Sequence, residues 1–226
     1  KYIRFTRKFV KLDFSKLSNQ ELLKLYKKYN QNYVDCFIYS EPMANLLKEA
    51  LEEKVKKNLE MKDDLLGVLI IPSKNTFMVE EEKGLIKIAL LAKKNGLKSV
   101  KKKLNKHYLK YNWISIDYNG EALKLKDFEK TLKDFIKEDL DKMLRNFKKR
   151  EKGVKKEQKE IRKRYKISRK SYNDLKVIRK CISLMDFKKA QYSKAHYHVQ
   201  FLMKEVGKRL GVNLLQATYL TPFEVE

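Results

Sequence analysis

Punctuation is scarce in this chain: seven glycines and three prolines interrupt 226 residues. Sheets built from short strands need frequent tight turns, so the scarcity points to long helices. The fold class it predicts is all-α, a multi-helical domain with a long antiparallel helical hairpin. With 42% hydrophobic residues at this length, the chain can bury a real core as one large domain or two small ones.

Apolar spacing and helix-end chemistry locate the elements. Ser18-Asn19-Gln20-Glu21 has the form of a capping box, in which the Ser hydroxyl and the Glu carboxylate satisfy orphan amides. Leu22, Leu25, Tyr26, Tyr29 and Tyr33 follow at helical spacing, which predicts a helix over about 18–37. Pro42, after Ser40-Glu41, suits the first turn of a second helix carrying Leu46, Leu47, Ala50, Leu51 and Val55 toward residue 59. Asp63 and Asp64 open a short helix that Pro72 closes. Thr76 caps the next, with Leu85, Ile88, Ala89, Leu91 and Ala92 on its apolar face and Asn95-Gly96 as its stop. Residues 98–111 are predicted helical, and Trp113 to Gly120 reads as an ordered loop ending in an Asn-Gly turn. Residues 1–17 alternate basic and apolar side chains, which suggests an extended packing arm or a short strand.

The hairpin is expected in the second half. From Lys126 to about Tyr165, Phe128, Leu132, Phe135, Leu140, Leu144 and Phe147 fit one stripe of a long helix that Gly153 interrupts weakly. From Ser171 to Leu210, Leu175, Ile178, Ile182, Met185, Tyr192, Ala195, Val199, Leu202 and Val206 stand mostly at alternating spacings of three and four. Gly211 ends that helix and Thr221-Pro222-Phe223-Glu224 opens another. One turn cannot sustain a helix alone, and position 1 is Lys rather than Met, so the chain reads as compatible with a fragment. The division predicted is residues 1–124, a helical domain with an N-terminal arm, and residues 125–226, the hairpin with its basic tip, packed together as one unit.

Charge bounds the partners. The formal net charge is +25, which predicts attraction to polyanions such as RNA, DNA or anionic lipid. Between Lys148 and Lys180 there are 16 Lys and Arg against four acids, and between Lys93 and Lys110 there are eight Lys and no acid. The hairpin-tip candidates for polyanion binding are Lys148, Lys149, Arg150, Lys155, Lys156, Arg162, Lys163, Arg164, Arg169 and Lys170. The competing reading is a solvated helical tip, its cations paired with Glu151, Glu157 and Glu160. Tyr165 and Tyr172 lie in the cluster and could stack on bases, although no RNA-recognition, KH, zinc-finger or helix-turn-helix pattern is legible.

Chemistry-bearing motifs are sparse. Cys36 and Cys181 form no C-x-x-C pair, which argues against a disulfide framework or a structural zinc site and fits a reducing cytoplasm. The longest apolar run, Leu65 to Ile71, is far short of the roughly 20 residues a membrane span requires, and no signal peptide is evident. His196 and His198 lie about 200° apart on a helix and cannot share a metal ion. His107, ahead of Tyr108, Tyr111 and Trp113, reads first as a packed, hydrogen-bonded residue. Asp63-Asp64 and Glu80-Glu81-Glu82 stand at helix starts, where they complement the macrodipole. No phosphate loop, nucleophile elbow or H-E-x-x-H is present, so no complete catalytic site is expected.

Four segments in order, "LDFSKLSNQELLKLYKKYNQNY" at 12–33, "LLGVLIIPSKNTFMVEEEKGLIKIALLAKK" at 65–94, "LNKHYLKYNWISIDYNG" at 104–120 and "DFKKAQYSKAHYHVQFLMKEVGKRLGVNLLQATYLTPFEVE" at 186–226, resemble archaeal and candidate-phylum proteins related to phosphoenolpyruvate synthase and pyruvate phosphate dikinase. The resemblance implies a non-catalytic helical connector between an ATP-grasp part and a swivelling phosphohistidine domain, partners supplied in cis or in trans. ATP and Mg would belong to those missing domains, so no cofactor, metal or catalytic residue is assigned to this chain. The connector role would be mechanical, holding two domains apart around a hinge. Its candidate interface is His107, Tyr108, Tyr111, Trp113 and Tyr118, where aromatic density meets loop character. A connector does not need so high a charge, so the alternative partner is RNA or a ribonucleoprotein such as the ribosome.

Overall fold

The computed structural model describes residues 2–60, 62–116 and 120–225, with the backbone alone at 39–43. The fold is all-α, with no strand among the described residues. In order the helices are α1 (Tyr2–Thr6), α2 (Asn19–Leu59), α3 (Asp63–Leu69), α4 (Phe77–Asn95), α5 (Leu97–Tyr111), α6 (Leu125–Ile136), α7 (Leu140–Arg164), α8 (Arg169–Leu210), α9 (Leu214–Thr218) and α10 (Pro222–Val225). Two 3-10 turns, Arg7–Lys11 and Phe14–Lys16, join α1 to α2. The long hairpin is α7 and α8 around residues 165–168. No helix among the described residues is long and apolar enough to cross a membrane.

Most helix ends follow the local chemistry. The Ser18 amide donates to Glu21 Oε2 (2.8 Å) and the Glu21 amide to Ser18 Oγ (3.3 Å), the reciprocal pair of a capping box. Thr76 accepts from the Val79 amide at 3.3 Å. Gly96 (φ 81°) and Gly211 (φ 71°) take the left-handed backbone that ends α4 and α8.

Three expectations are corrected. The helices foreseen at 18–37 and from Ser40 are one helix of 41 residues: an interior proline removes one backbone hydrogen bond, and a long, well-packed helix can continue past that loss. The helix foreseen from Lys126 to Tyr165 is instead two, α6 and α7, and the break falls at residues 137–139 rather than at Gly153. Asp139 decides it, because its carboxylate accepts from the Lys142 amide at 2.8 Å and starts a new helix. The N-terminal arm is helical and 3-10 rather than extended. Tyr2, Thr6 and Phe9, spaced three and four apart, are all buried, a helical spacing hidden beneath the basic alternation.

Contacts gather the chain into two compact units, each drawn from non-consecutive segments, so the boundary at 124/125 is one along the chain only. The first unit comprises Lys1–Glu41, Asn112–Leu123 and Lys188–Glu226. Its core joins Tyr2, Phe9 and Phe14 to Leu22, Tyr26 and Tyr29 of α2 and to Ala195, Val199, Leu202, Met203 and Val206 of α8. Arg209 ties the N-terminal turns down by donating to the carbonyls of Phe14 (3.2 Å) and Leu17 (2.7 Å) and to Asn19 (2.7 Å).

The second unit comprises Pro42–Tyr111 and Lys124–Phe187. Within it α4 packs against α5, α6 and α7, and α3 packs against α7. One core cluster joins Val55, Leu66 and Leu69 to Ile161, Ile167, Leu175 and Ile178. Gln158 of α7 donates to the carbonyls of Val68 (2.9 Å) and Ile71 (3.1 Å), fastening the end of α3 to α7.

Candidate functional site

The second unit turns one face of α7 inward. Leu140 and Ile161 are buried, and Leu144, Phe147, Val154 and Gln158 are half-buried along the same side. At roughly 100° per residue, the opposite side carries Lys142, Arg145, Lys148, Lys149, Lys152, Lys156, Lys159 and Lys163, all within about 60° of one line down the helix. Every one of these eight is exposed. The stripe is about 30 Å long at 1.5 Å per residue. Two acids share this side: Asp141, in the first turn just before Lys142, and Glu160 at the edge. Arg145, Lys148, Lys149, Lys152 and Lys156 line a shallow open depression with Gly153, whose missing side chain leaves the backbone uncovered.

Local neutralisation is thin. Lys156 lies 3.9 Å from Glu160 and Arg145 lies 3.9 Å from Asp139, exposed and long contacts that contribute little. Lys142, Lys148, Lys149, Lys152, Lys159 and Lys163 have no carboxylate within ion-pair distance among the described residues. Glu151, foreseen as a partner for tip cations, turns instead to Lys83 of α4, whose ammonium holds its carboxyl below the usual range. Lys83 also sits 5.1 Å above the Phe147 ring.

The ten tip cations nominated from sequence separate by face. Lys148, Lys149, Lys156 and Lys163 belong to the stripe, and Lys155 borders it. Arg150 and Arg164 project well to one side of it and Arg162 to the other, where its guanidinium stacks 4.0 Å from the Tyr172 ring. Arg169 and Lys170 are exposed at the start of α8. Sequence density missed Lys142, Arg145, Lys152 and Lys159. Applying to cations the helical period used for apolar residues would have found all four. A second, shorter cationic face lies on α5, where Lys98, Lys102 and Lys106 stand opposite buried Val100, Leu104, His107 and Tyr111 and exposed Lys101 flanks them.

The aromatic candidates do not form one exposed surface. His107 is 7% exposed, with Nε2 3.0 Å from Glu81 Oε1. Its ring lies 4.8 Å from that of Tyr111 and 5.7 Å from that of Phe128. Tyr108 meets Phe128 edge-on at 6.0 Å. Trp113 belongs to the first unit, buried under the Lys194 ammonium, 4.6 Å from the ring. Tyr118 lies outside the described residues. Among the described residues no group of three or more His, Cys, Asp or Glu could hold a metal ion. His198 accepts or donates at Thr6 Oγ1 (3.1 Å), and His196 faces Tyr33 with ring centres 5.6 Å apart.

Compared with known proteins, the chain matches no family model, no curated protein and no solved structure.

Proposed function

We propose that this protein is a basic helical module that binds RNA, and that its docking surface is the outward face of α7. The observation carrying this reading is the alignment of eight exposed cations on one side of one helix, six of them without an acidic partner among the described residues. Such a row presents charge to a phosphate backbone at fixed intervals, and each phosphate it neutralises releases counterions. A merely solvated helix would distribute Lys and Glu around the exposed arc in neutralising pairs.

The test is titration of structured RNA at about 50 and 200 mM salt, with affinity expected to fall by several-fold to orders of magnitude. Lys152→Glu should weaken binding about tenfold and flatten the salt slope by about one unit. Arg150→Glu makes the same charge change off the stripe and should weaken it far less. Equal losses from the two variants would mean that net charge, not the stripe, drives association.

A second proposal is the mechanical connector of a phosphoenolpyruvate-utilising phosphotransferase, partnered by ATP-grasp and phosphohistidine domains. It is favoured by the unbroken 41- and 42-residue helices α2 and α8, a length suited to spacing other domains. Phosphate transfer between those domains, supplied as separate proteins, should accelerate when the chain is added. No change in rate would remove this reading.

A further inference from the structure

Resting on the RNA-binding reading, we infer that the α7 face is built for a duplex and reads it without regard to sequence. Three features of the stripe carry this. First, its residues are seven lysines and one arginine. Lysine acts on phosphate as a point charge, whereas the planar fork of arginine is the side chain that reads guanine edges in pairs of bonds. Second, no aromatic side chain lies on the stripe. Phe147 is on the opposite side of α7 and Tyr172 is covered by Arg162. Single strands are held chiefly by stacking on exposed rings, which also repays the entropy lost when a flexible strand is ordered. Third, the cations sit on a continuous helix anchored by Asp139 at its start and by Gln158 against α3. Their spacing is fixed before binding.

A fixed straight row of point charges gains most from a partner whose phosphates are also fixed and dense. A duplex offers both, with higher charge density than a single strand and hence a steeper release of counterions. An RNA duplex pairs its Watson–Crick edges and has a major groove too deep and narrow for side chains to read, so the lack of base-reading side chains costs little in binding it.

The experiment uses the full chain with three RNA probes in fluorescence anisotropy at about 100 mM salt: two unrelated duplexes of about 20 base pairs and an oligouridine with the same number of nucleotides. The duplexes should bind within about threefold of each other and at least about tenfold tighter than oligouridine. Lys149→Gln with Lys152→Gln should reduce the duplex salt slope by about two units while leaving the helical circular dichroism unchanged. Oligouridine binding as tightly as the duplexes, or one duplex preferred more than tenfold, overturns the inference and leaves the RNA reading standing. Absence of binding by all three probes, at about 100 mM salt and again at about 50 mM, overturns both.

Discussion

Gly84 shows how one missing side chain positions another. A Cβ built there would stand 2.8 Å from His107 Cε1 and 3.1 Å from Nδ1, inside the contact distance of a buried ring that is held by Glu81 on one side and by Tyr111 and Phe128 on the others. Gly84→Ala should therefore destabilise by about 1–3 kcal/mol through overpacking, despite its better helix propensity. Denaturant titration checks it. If the clash is with His107, adding His107→Ala should recover part of the loss relative to the single His107 variant, and simple additivity would refute that cause. His198 gives a pH prediction. Burial first, then the charges of Arg7 and Lys194, push it down to about 4. The unfolded chain binds a proton near pH 6.5 that the folded one refuses, so stability is full above about pH 7 and falls as pH drops toward 4. Allowing for solvent screening, the loss should be about 1–2 kcal/mol. Melting temperature against pH should flatten over that window in His198→Gln.

At the scale of elements, the hairpin turn holds a correctable strain. Lys166 has φ 44°, the left-handed conformation that ends α7, where the Ile167 amide returns to the Arg162 carbonyl at 3.1 Å. Replacing it with glycine removes a Cβ penalty of about 1 kcal/mol, so Lys166→Gly should raise the denaturation midpoint; a lower midpoint would show that the lysine side chain stabilises the tip. Asp139→Ala removes the cap that separates α6 from α7 and should cost about 1 kcal/mol. Proton exchange should quicken in the first turn of α7 while the Gln158 end keeps its protection. These elements also show what was legible. The caps at Ser18, Thr76 and Thr221, and the glycine stops at 96 and 211, rest on chemistry within four residues, and were read from sequence alone. Asp139 is equally local but was masked by an apolar stripe running through it. Pro42, a start signal on local grounds, lies within a continuous helix because packing far along α2 outweighs one lost hydrogen bond.

For the whole molecule, a net charge of +25 implies self-repulsion in the compact state. Raising sodium chloride from about 20 to 200 mM should increase the melting temperature by a few degrees as the repulsion is screened. A fall would indicate that attractive ion pairs dominate. The sequence alone settled the all-α class, most helix ends and the basic character, since these depend on composition, periodicity and neighbours within a turn. Which segments share a core was decided only by tertiary structure: α2 and α8 each contribute to both compact units, and residues 112–123 join the first unit from between helices of the second. The helical period aligns the cations along α7, but which side of that helix faces outward was decided in the same way. A lysine becomes part of a common face only when the opposite side of its helix is buried, and that burial depends on α3 and α4, which lie far away along the chain.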